Sequence, residues 1–317
     1  MNFFTIFRNE SYPPPENIYA NLNLPLLELI FQANEVRKKY IGSRLDICSI
    51  TNAKSGYCSE DCKFCAQSSR FPTSSLKYPL KNKGELIELA RRAKDIGAQR
   101  FSIVTSGKKV KNDELLKIAE IISDIKDGVG ITMCSSLGLL DRDDFTLLKQ
   151  AGLSRYHHNL ECSPRFFSDI CTTHSLEDRI ATIKSAKEAG LEVCSGGIIG
   201  MGEGWTDRIE LAMLLKNLGV DAVSINILSP IKGTPLESIN PIPCSDIIRT
   251  IAIFRIILEK TSIKIAAGRE TILGDFQALA FLAGVNGMII GGYLTVKGRD
   301  VEQDQRLIQE ISALWKE

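Results

Sequence analysis

The sequence predicts a (β/α)8 barrel of the TIM type with an N-terminal helical extension. Three observations carry this expectation. First, a helical stretch closing on glycine is followed within four residues by a short apolar strand, and the unit recurs. It is seen at Ile96-Gly97 before RFSIV, Ala151-Gly152 before RYHHNL, Ala189-Gly190 before LEVCSGGII, Leu218-Gly219 before DAVSINIL and Ala283-Gly284 before GMIIGG. Glycine just past a helix takes the left-handed conformation without a Cβ penalty, so the chain can turn into the next strand. Second, helices alternating with such strands imply parallel crossovers. Third, the strands number eight, the count that closes a barrel. A doubly wound open sheet is the alternative arrangement of the same alternation.

In chain order, residues 1–16 end in Pro13-Pro14-Pro15 and read as a loosely attached arm. Residues 24–40 carry Leu24, Leu26, Leu27, Leu29, Ile30, Phe31, Ala33 and Val36 at helical spacing. Arm and helix make a segment 1–40, and residues 41–317 make the barrel domain. Strands are expected near 45–51, 100–105, 129–134, 155–160, 193–199, 222–228, 263–267 and 286–291. Helices are expected near 84–96, 112–125, 141–151, 177–189, 205–218, 245–259 and 271–283, with a last one near 303–315.

Composition excludes several classes. The chain has 317 residues, 44% of them hydrophobic, which is enough for one large core. Its 39 basic and 38 acidic residues leave a net charge of +1, so there is no electrostatic case for nucleic acid or an anionic membrane. Nine cysteines, an odd number in a long chain, fit reduced thiols in a cytoplasmic metalloenzyme better than a disulfide framework. The N-terminus lacks the basic region of a secretory signal. The most apolar later segment, 247–258, is interrupted by Arg249 and Arg255 and is too short to span a bilayer.

The chemistry centres on SGYCSEDCKFCAQSS, residues 55–69, where Cys58, Cys62 and Cys65 stand at C-x3-C-x2-C spacing. Three thiolates can hold three irons of a cubane cluster and leave the fourth open to another ligand. A structural zinc would need a fourth donor, and after Cys65 no Cys or His follows until Cys134. Neither a G-x-S-x-G nor an H-E-x-x-H motif is present to support hydrolysis. In a barrel, chemistry gathers at the C-terminal ends of the strands. The cysteine loop follows strand one, Cys134 ends strand three, and Asn159 and Glu161 end strand four. Cys194 lies early in strand five, Asn226 late in strand six, and Arg269 after strand seven.

With SGYCSEDCKFCAQSSR, YHHNLECSPRFFSDICTTHSLEDRI, VCSGGIIGMGE, NILSPIKGTPL and AAGRE in this order, the chain resembles the biotin synthase family of radical S-adenosylmethionine enzymes from about residue 44 onward. The resemblance implies sulfur insertion into dethiobiotin to form biotin. It implies that Cys58, Cys62 and Cys65 hold a 4Fe-4S cluster to which S-adenosylmethionine binds. Phe64, Asn159, Glu161, Arg179 and Ile198 match positions that contact S-adenosylmethionine. Asn159 and Asn226 match positions that contact the substrate. The family position of Glu161 often carries Asp, so the reach here is one methylene longer.

The family also has an auxiliary iron–sulfur cluster deeper in the barrel that supplies the sulfur. Its ligands are three cysteines and an arginine, and the resemblance assigns Cys134, Cys194 and Arg269. The remaining corner falls on Ser102, a poor donor for iron. Cys162, Cys171 and Ser102 itself are the candidates there, with Cys171 favoured, and the cluster is 2Fe-2S or a larger variant. His157, His158 and His174 read as packing or substrate-pocket residues, and Cys48 and Cys244 as structural. The resemblance further implies an electron donor such as flavodoxin or ferredoxin, and a homodimer. A related radical enzyme of the hydrogenase-maturation or amino-acid mutase kind, and a zinc-stapled interaction protein, are the competing readings.

Overall fold

The computed structural model describes residues 18–295 and 298–316, so the arm expected over 1–16 lies outside the described residues. Two helices come first, α1 (Ile18–Asn21) and α2 (Leu26–Tyr40). The barrel then runs β1 (Asp46–Lys54), α3 (Lys83–Asp95), β2 (Arg100–Thr105), α4 (Asn112–Gly128), β3 (Thr132–Ser136), α5 (Arg142–Gln150) and β4 (Arg155–His157). It continues with α6 (Phe167–Ile170), α7 (Leu176–Glu188), β5 (Glu192–Ile199), α8 (Trp205–Asn217), β6 (Ala222–Ile227), α9 (Cys244–Leu258) and β7 (Ser262–Ile265). It ends with α10 (Gln277–Leu282), β8 (Gly287–Ile290) and α11 (Val301–Leu314). Each strand pairs in parallel with the next, and β8 pairs with β1, closing the barrel.

The local reasons follow the sequence. Gly97, Gly152, Gly190, Gly219 and Gly284 all have positive φ where helices give way to strands. Helix starts are held by side chains: Asn82 caps α3, and Asp141 and Ser175 form capping boxes on α5 and α7. Helix α2 starts after Pro25 and packs on α9 and α10, with Leu29 and Ala33 fully buried. Arg249 of α9 donates to the carbonyls of Leu22 and Leu24 at 2.9 and 2.8 Å, tying the extension to the barrel.

Three elements differ from expectation. Strand β3 runs 132–136 rather than 129–134, because Gly130 turns at φ 67° before the strand begins. Strand β4 ends at His157; beyond it the amides of His158 and Leu160 still donate to the Cys194 and Gly196 carbonyls of β5, both at 2.9 Å, and Glu161 meets Gly197 in an isolated bridge. The helix expected over 271–283 is broken into a π turn (Arg269–Leu273), a 3-10 turn (Gly274–Phe276) and α10. Gly274, at φ 49°, interrupts it. The short α6 was not foreseen.

Candidate active site

The loop after β1 is irregular and held by its own polar contacts. The Gln67 carbonyl oxygen (Oε1) accepts from Ser55 Oγ at 3.1 Å and from the Gly56 amide at 3.3 Å. Ser68 Oγ donates to the Glu60 carbonyl at 2.6 Å, and the Ser69 amide to the Cys58 carbonyl at 2.7 Å. These contacts present Cys58, Cys62 and Cys65 to one cavity of about 290 Å³ at the barrel mouth. All three are free thiols. Burial raises Cys58 and pushes Cys65 up to about 11, so a metal must displace their protons to bind. Three sulfurs on one cavity wall, backed by a loop with little freedom, fit three corners of a 4Fe-4S cluster.

A second cavity of about 270 Å³ adjoins the first, and Phe64, Cys65, Asn159 and Glu161 line both. Ile198 and Asn226 face the second cavity. Arg179 lines the first, where its Nη1 donates to the Asn159 carbonyl at 2.8 Å and lies 3.7 Å from Glu161. Burial raises the Glu161 carboxyl, although Arg179 pulls it the other way. Glu161 itself has φ 72°, a conformation that costs a non-glycine residue energy. Its carbonyl accepts from the Ile198 amide at 2.8 Å. That approach requires Gly197, since a Cβ there would stand 2.4 Å from the Glu161 oxygen. Asn226 is half engaged by backbone: its Nδ2 donates to the Gly197 carbonyl and its Oδ1 accepts from the Ala267 amide, both at 3.2 Å. One donor and one lone pair remain for a ligand.

Deeper in the barrel, β1, β3, β5 and β7 contribute one interior layer, as alternate strands do in this fold. The layer consists of Cys48, Cys134, Cys194 and Lys264, all buried. Lys264 Nζ donates to Cys48 Sγ at 2.8 Å and pairs with Asp46 at 3.0 Å. Burial opposes its charge, yet the fields of Cys48, Cys194 and Asp46 hold the ammonium above its ordinary range. Arg155 adds a second buried cation, 3.0 Å from the same Asp46 oxygen. Burial pushes Cys48 up to about 12 and also raises Cys134. Two buried cations facing three thiols and one shared carboxylate make a site that gains by holding anionic sulfur. Ser102, the register neighbour of Cys134, is buried there too, and its Oγ has no hydrogen-bond partner among the described residues. This donor set fits an iron–sulfur cluster.

Two expected auxiliary ligands are not in this layer. Arg269 lies beyond β7, past the left-handed turn at Gly268, and its side chain runs toward the C-terminal helix. It pairs with Asp304 at 2.6 Å and donates to Tyr293 Oη at 3.0 Å, to the Ile289 carbonyl at 3.2 Å and to Gln277. The charged side chain that does face Cys48 is Lys264, five residues earlier. Cys171 is at the mouth, with its Sγ 3.7 Å from Cys62 Sγ. The Cys62 thiol donates to it, which lowers Cys171 and raises Cys62. Cys162, next to Glu161 in the chain, is buried in the apolar core. Cys48, read from the sequence as structural, takes the place these residues were expected to fill. An alternation signal was available for Lys264, a charge inside the apolar strand SIKI.

Comparison with known proteins agrees with the fold and the family. A model described as the radical SAM superfamily matches residues 53–215, and one described as the Biotin and Thiamin Synthesis associated domain matches residues 224–312. The biotin synthase of Thermotoga neapolitana is 58% identical over 273 residues, covering 86% of this chain and 98% of the relative. That of Thermotoga petrophila is 53% identical and covers 93% and 98%. Among solved structures, methylornithine synthase superposes with TM-score 0.82 at 20% identity over 98% of each chain. An FeFe-hydrogenase maturase superposes with TM-score 0.78 at 17% identity, over 97% of this chain and 73% of that one. These two likenesses speak to the barrel alone. With relatives so similar along nearly its whole length, the chain belongs to the biotin synthase family of radical S-adenosylmethionine enzymes.

Proposed function

We propose that the chain converts dethiobiotin to biotin, with Cys58, Cys62 and Cys65 holding a 4Fe-4S cluster whose open iron binds S-adenosylmethionine. The observation that carries the reading is the junction of the two cavities, where the thiol loop meets Asn159 and Glu161. Held by Cys58, Cys62 and Cys65, the cluster would supply the electron for reductive cleavage of S-adenosylmethionine, chemistry that can reach saturated carbon. The protein's share is positioning and exclusion of water. Phe64 and Ile198 offer apolar surface to the adenine. Glu161 and Asn159, held by Arg179, present acceptors and a donor to the ribose. Asn226 uses its free donor and lone pair on the ureido ring, with Asn159 beside it.

The layer of Cys48, Cys134, Cys194 and Lys264 is the proposed seat of the auxiliary cluster, with Ser102 at its edge. Three thiols and one cation there equal in number the three cysteines and one arginine of the family's set, so the seat suits a 2Fe-2S cluster or a larger variant. Flavodoxin or ferredoxin as electron donor, a cytoplasmic setting and a homodimer complete the reading. No helix among the described residues is long and apolar enough to cross a membrane. Leu27 and Phe31, exposed one turn apart on α2, give an apolar face that supports self-association. The test is dethiobiotin-dependent formation of 5′-deoxyadenosine by the anaerobically reconstituted chain. Cleavage that ignores dethiobiotin but responds to another substrate would overturn the assignment.

A further inference from the structure

Along the sequence, the cysteine loop has no nearby fourth donor, but the fold supplies two. Cys171 and His174, from the segment joining α6 to α7, come against Cys62. Cys171 Sγ stands 3.7 Å from Cys62 Sγ and 3.3 Å from His174 Nδ1, and ligand atoms of all three residues lie within 4.8 Å of one another. A tetrahedral zinc with bonds of about 2.3 Å to sulfur and about 2.0 Å to nitrogen sets its sulfurs about 3.8 Å apart and sulfur and nitrogen about 3.5 Å apart. Two of the three edges therefore stand at the spacing of a metal site before any metal enters, and the third lies within 4.8 Å.

The surroundings hold that geometry. Asp61 accepts from the Thr172 amide at 2.9 Å and the Thr173 amide at 3.2 Å, which fixes the turn carrying Cys171. Arg179 Nε donates to His174 Nε2 at 3.0 Å. That leaves Nδ1 to carry the imidazole proton toward Glu60 Oε2, 2.6 Å away. A metal at Nδ1 replaces this proton, and the Glu60 carboxylate beside the ring offsets part of the ion's charge. The His174 and Glu60 side chains are 4% and 8% exposed, so bulk water competes little for the ion.

We propose that the chain, before its iron–sulfur cluster is built, binds one divalent ion of the zinc class through Cys62, Cys171 and His174, with water completing the tetrahedron. Two sulfurs and an imidazole suit a borderline-soft cation over a hard one such as magnesium. Because Cys62 also belongs to the three-thiol loop, this ion and the 4Fe-4S cluster exclude each other. The exclusion rests on the cluster reading above, whereas the zinc site stands without it.

The experiment uses the full-length chain freed of iron under anaerobic conditions, titrated with zinc against a chromophoric chelator and separately with cobalt as a spectroscopic probe. The wild type is expected to take up one tight equivalent and to show thiolate-to-cobalt charge-transfer absorption. Cys171→Ser and His174→Gln should each weaken zinc at least tenfold, while Cys58→Ala should bind it as the wild type does. Zinc-loaded wild type should fail to take up iron and sulfide on reconstitution, whereas zinc-treated Cys171→Ser should take them up. The absence of a tight equivalent in the wild type would overturn the proposal. So would a loss in Cys58→Ala equal to that in Cys171→Ser, which would put the zinc on the loop cysteines. Full iron uptake with the zinc retained would overturn the exclusion and leave the family reading intact.

Discussion

Lys264 Nζ lies 2.8 Å from Cys48 Sγ in the interior of the barrel, joining β7 to β1 across the layer that also holds Cys134 and Cys194. The contact is a buried charge-assisted hydrogen bond, and it orients a sulfur that no sequence motif marks. Cys48→Ala should remove the auxiliary iron and sulfide but leave the mouth cluster, as read by metal counts and Mössbauer spectra. S-adenosylmethionine cleavage should persist while biotin formation stops. Lys264→Met should weaken the auxiliary cluster by about 10–100-fold, the usual loss when a supporting partner of a metal ligand is removed. Wild-type iron content in Cys48→Ala would show that the base layer does not hold a cluster.

Arg269 and Asp304, each 1% exposed in its side chain, form a buried pair that fastens the C-terminal helix to the turn after β7. The pair is read here as structural. Asp304→Asn should cost about 1.5–3 kcal/mol of stability, the loss of a charge-assisted hydrogen bond, because Arg269 keeps Glu270 at 3.2 Å as a second carboxylate partner. The iron and sulfide content of the reconstituted variant should equal that of the wild type. Selective loss of the auxiliary cluster in Arg269→Gln would return Arg269 to the ligand set.

How much of this was legible beforehand follows from the range of each signal. The eight strands could be read because glycine punctuation and apolar runs are local, and the Cys58–Cys65 loop because its spacing is local. Cys48, Cys134, Cys194 and Lys264 lie on four different strands, and only barrel closure brings them into one layer. No spacing rule reports that. Arg269 misled because the AAGRE motif places an arginine just past a strand, and the direction of its side chain depends on the left-handed turn at Gly268. The meeting of Cys171 with Cys62 spans 109 residues and was equally out of sight.

Asn226 bridges Gly197 and Ala267 while keeping a donor and a lone pair free. Asn226→Ala should weaken dethiobiotin binding by about 1–3 kcal/mol, the cost of an unpaired buried partner, and should also lower stability, since two backbone groups lose their contacts. Calorimetry in the presence of S-adenosylmethionine reads the first effect and thermal unfolding the second. Lower stability with unchanged affinity would confine Asn226 to bridging the strands.

His158 is buried in the cavity wall, and burial lowers its pKa well below 6.5, with Arg179 and His174 adding to the shift. Its Nε2 has no hydrogen-bond partner among the described residues. The folded state therefore binds this proton less readily than the unfolded chain. The resulting stability is complete above the unfolded pKa and drains away as pH falls below it, by up to about 1.4 kcal/mol per pH unit. Between about pH 7 and about pH 5.5 the wild type should lose about 1–2 kcal/mol more than His158→Gln, measured by urea unfolding. Parallel losses would mean that His158 titrates normally in the fold.

The most direct measurement is a single anaerobic turnover by the chain reconstituted with isotopically labelled sulfide, then desalted and supplied with dethiobiotin, S-adenosylmethionine and a reductant. The expected result is biotin carrying the label, together with 5′-deoxyadenosine, and neither product from Cys62→Ala. Formation of 5′-deoxyadenosine without labelled biotin, in protein with a full complement of iron and sulfide, would contradict the account.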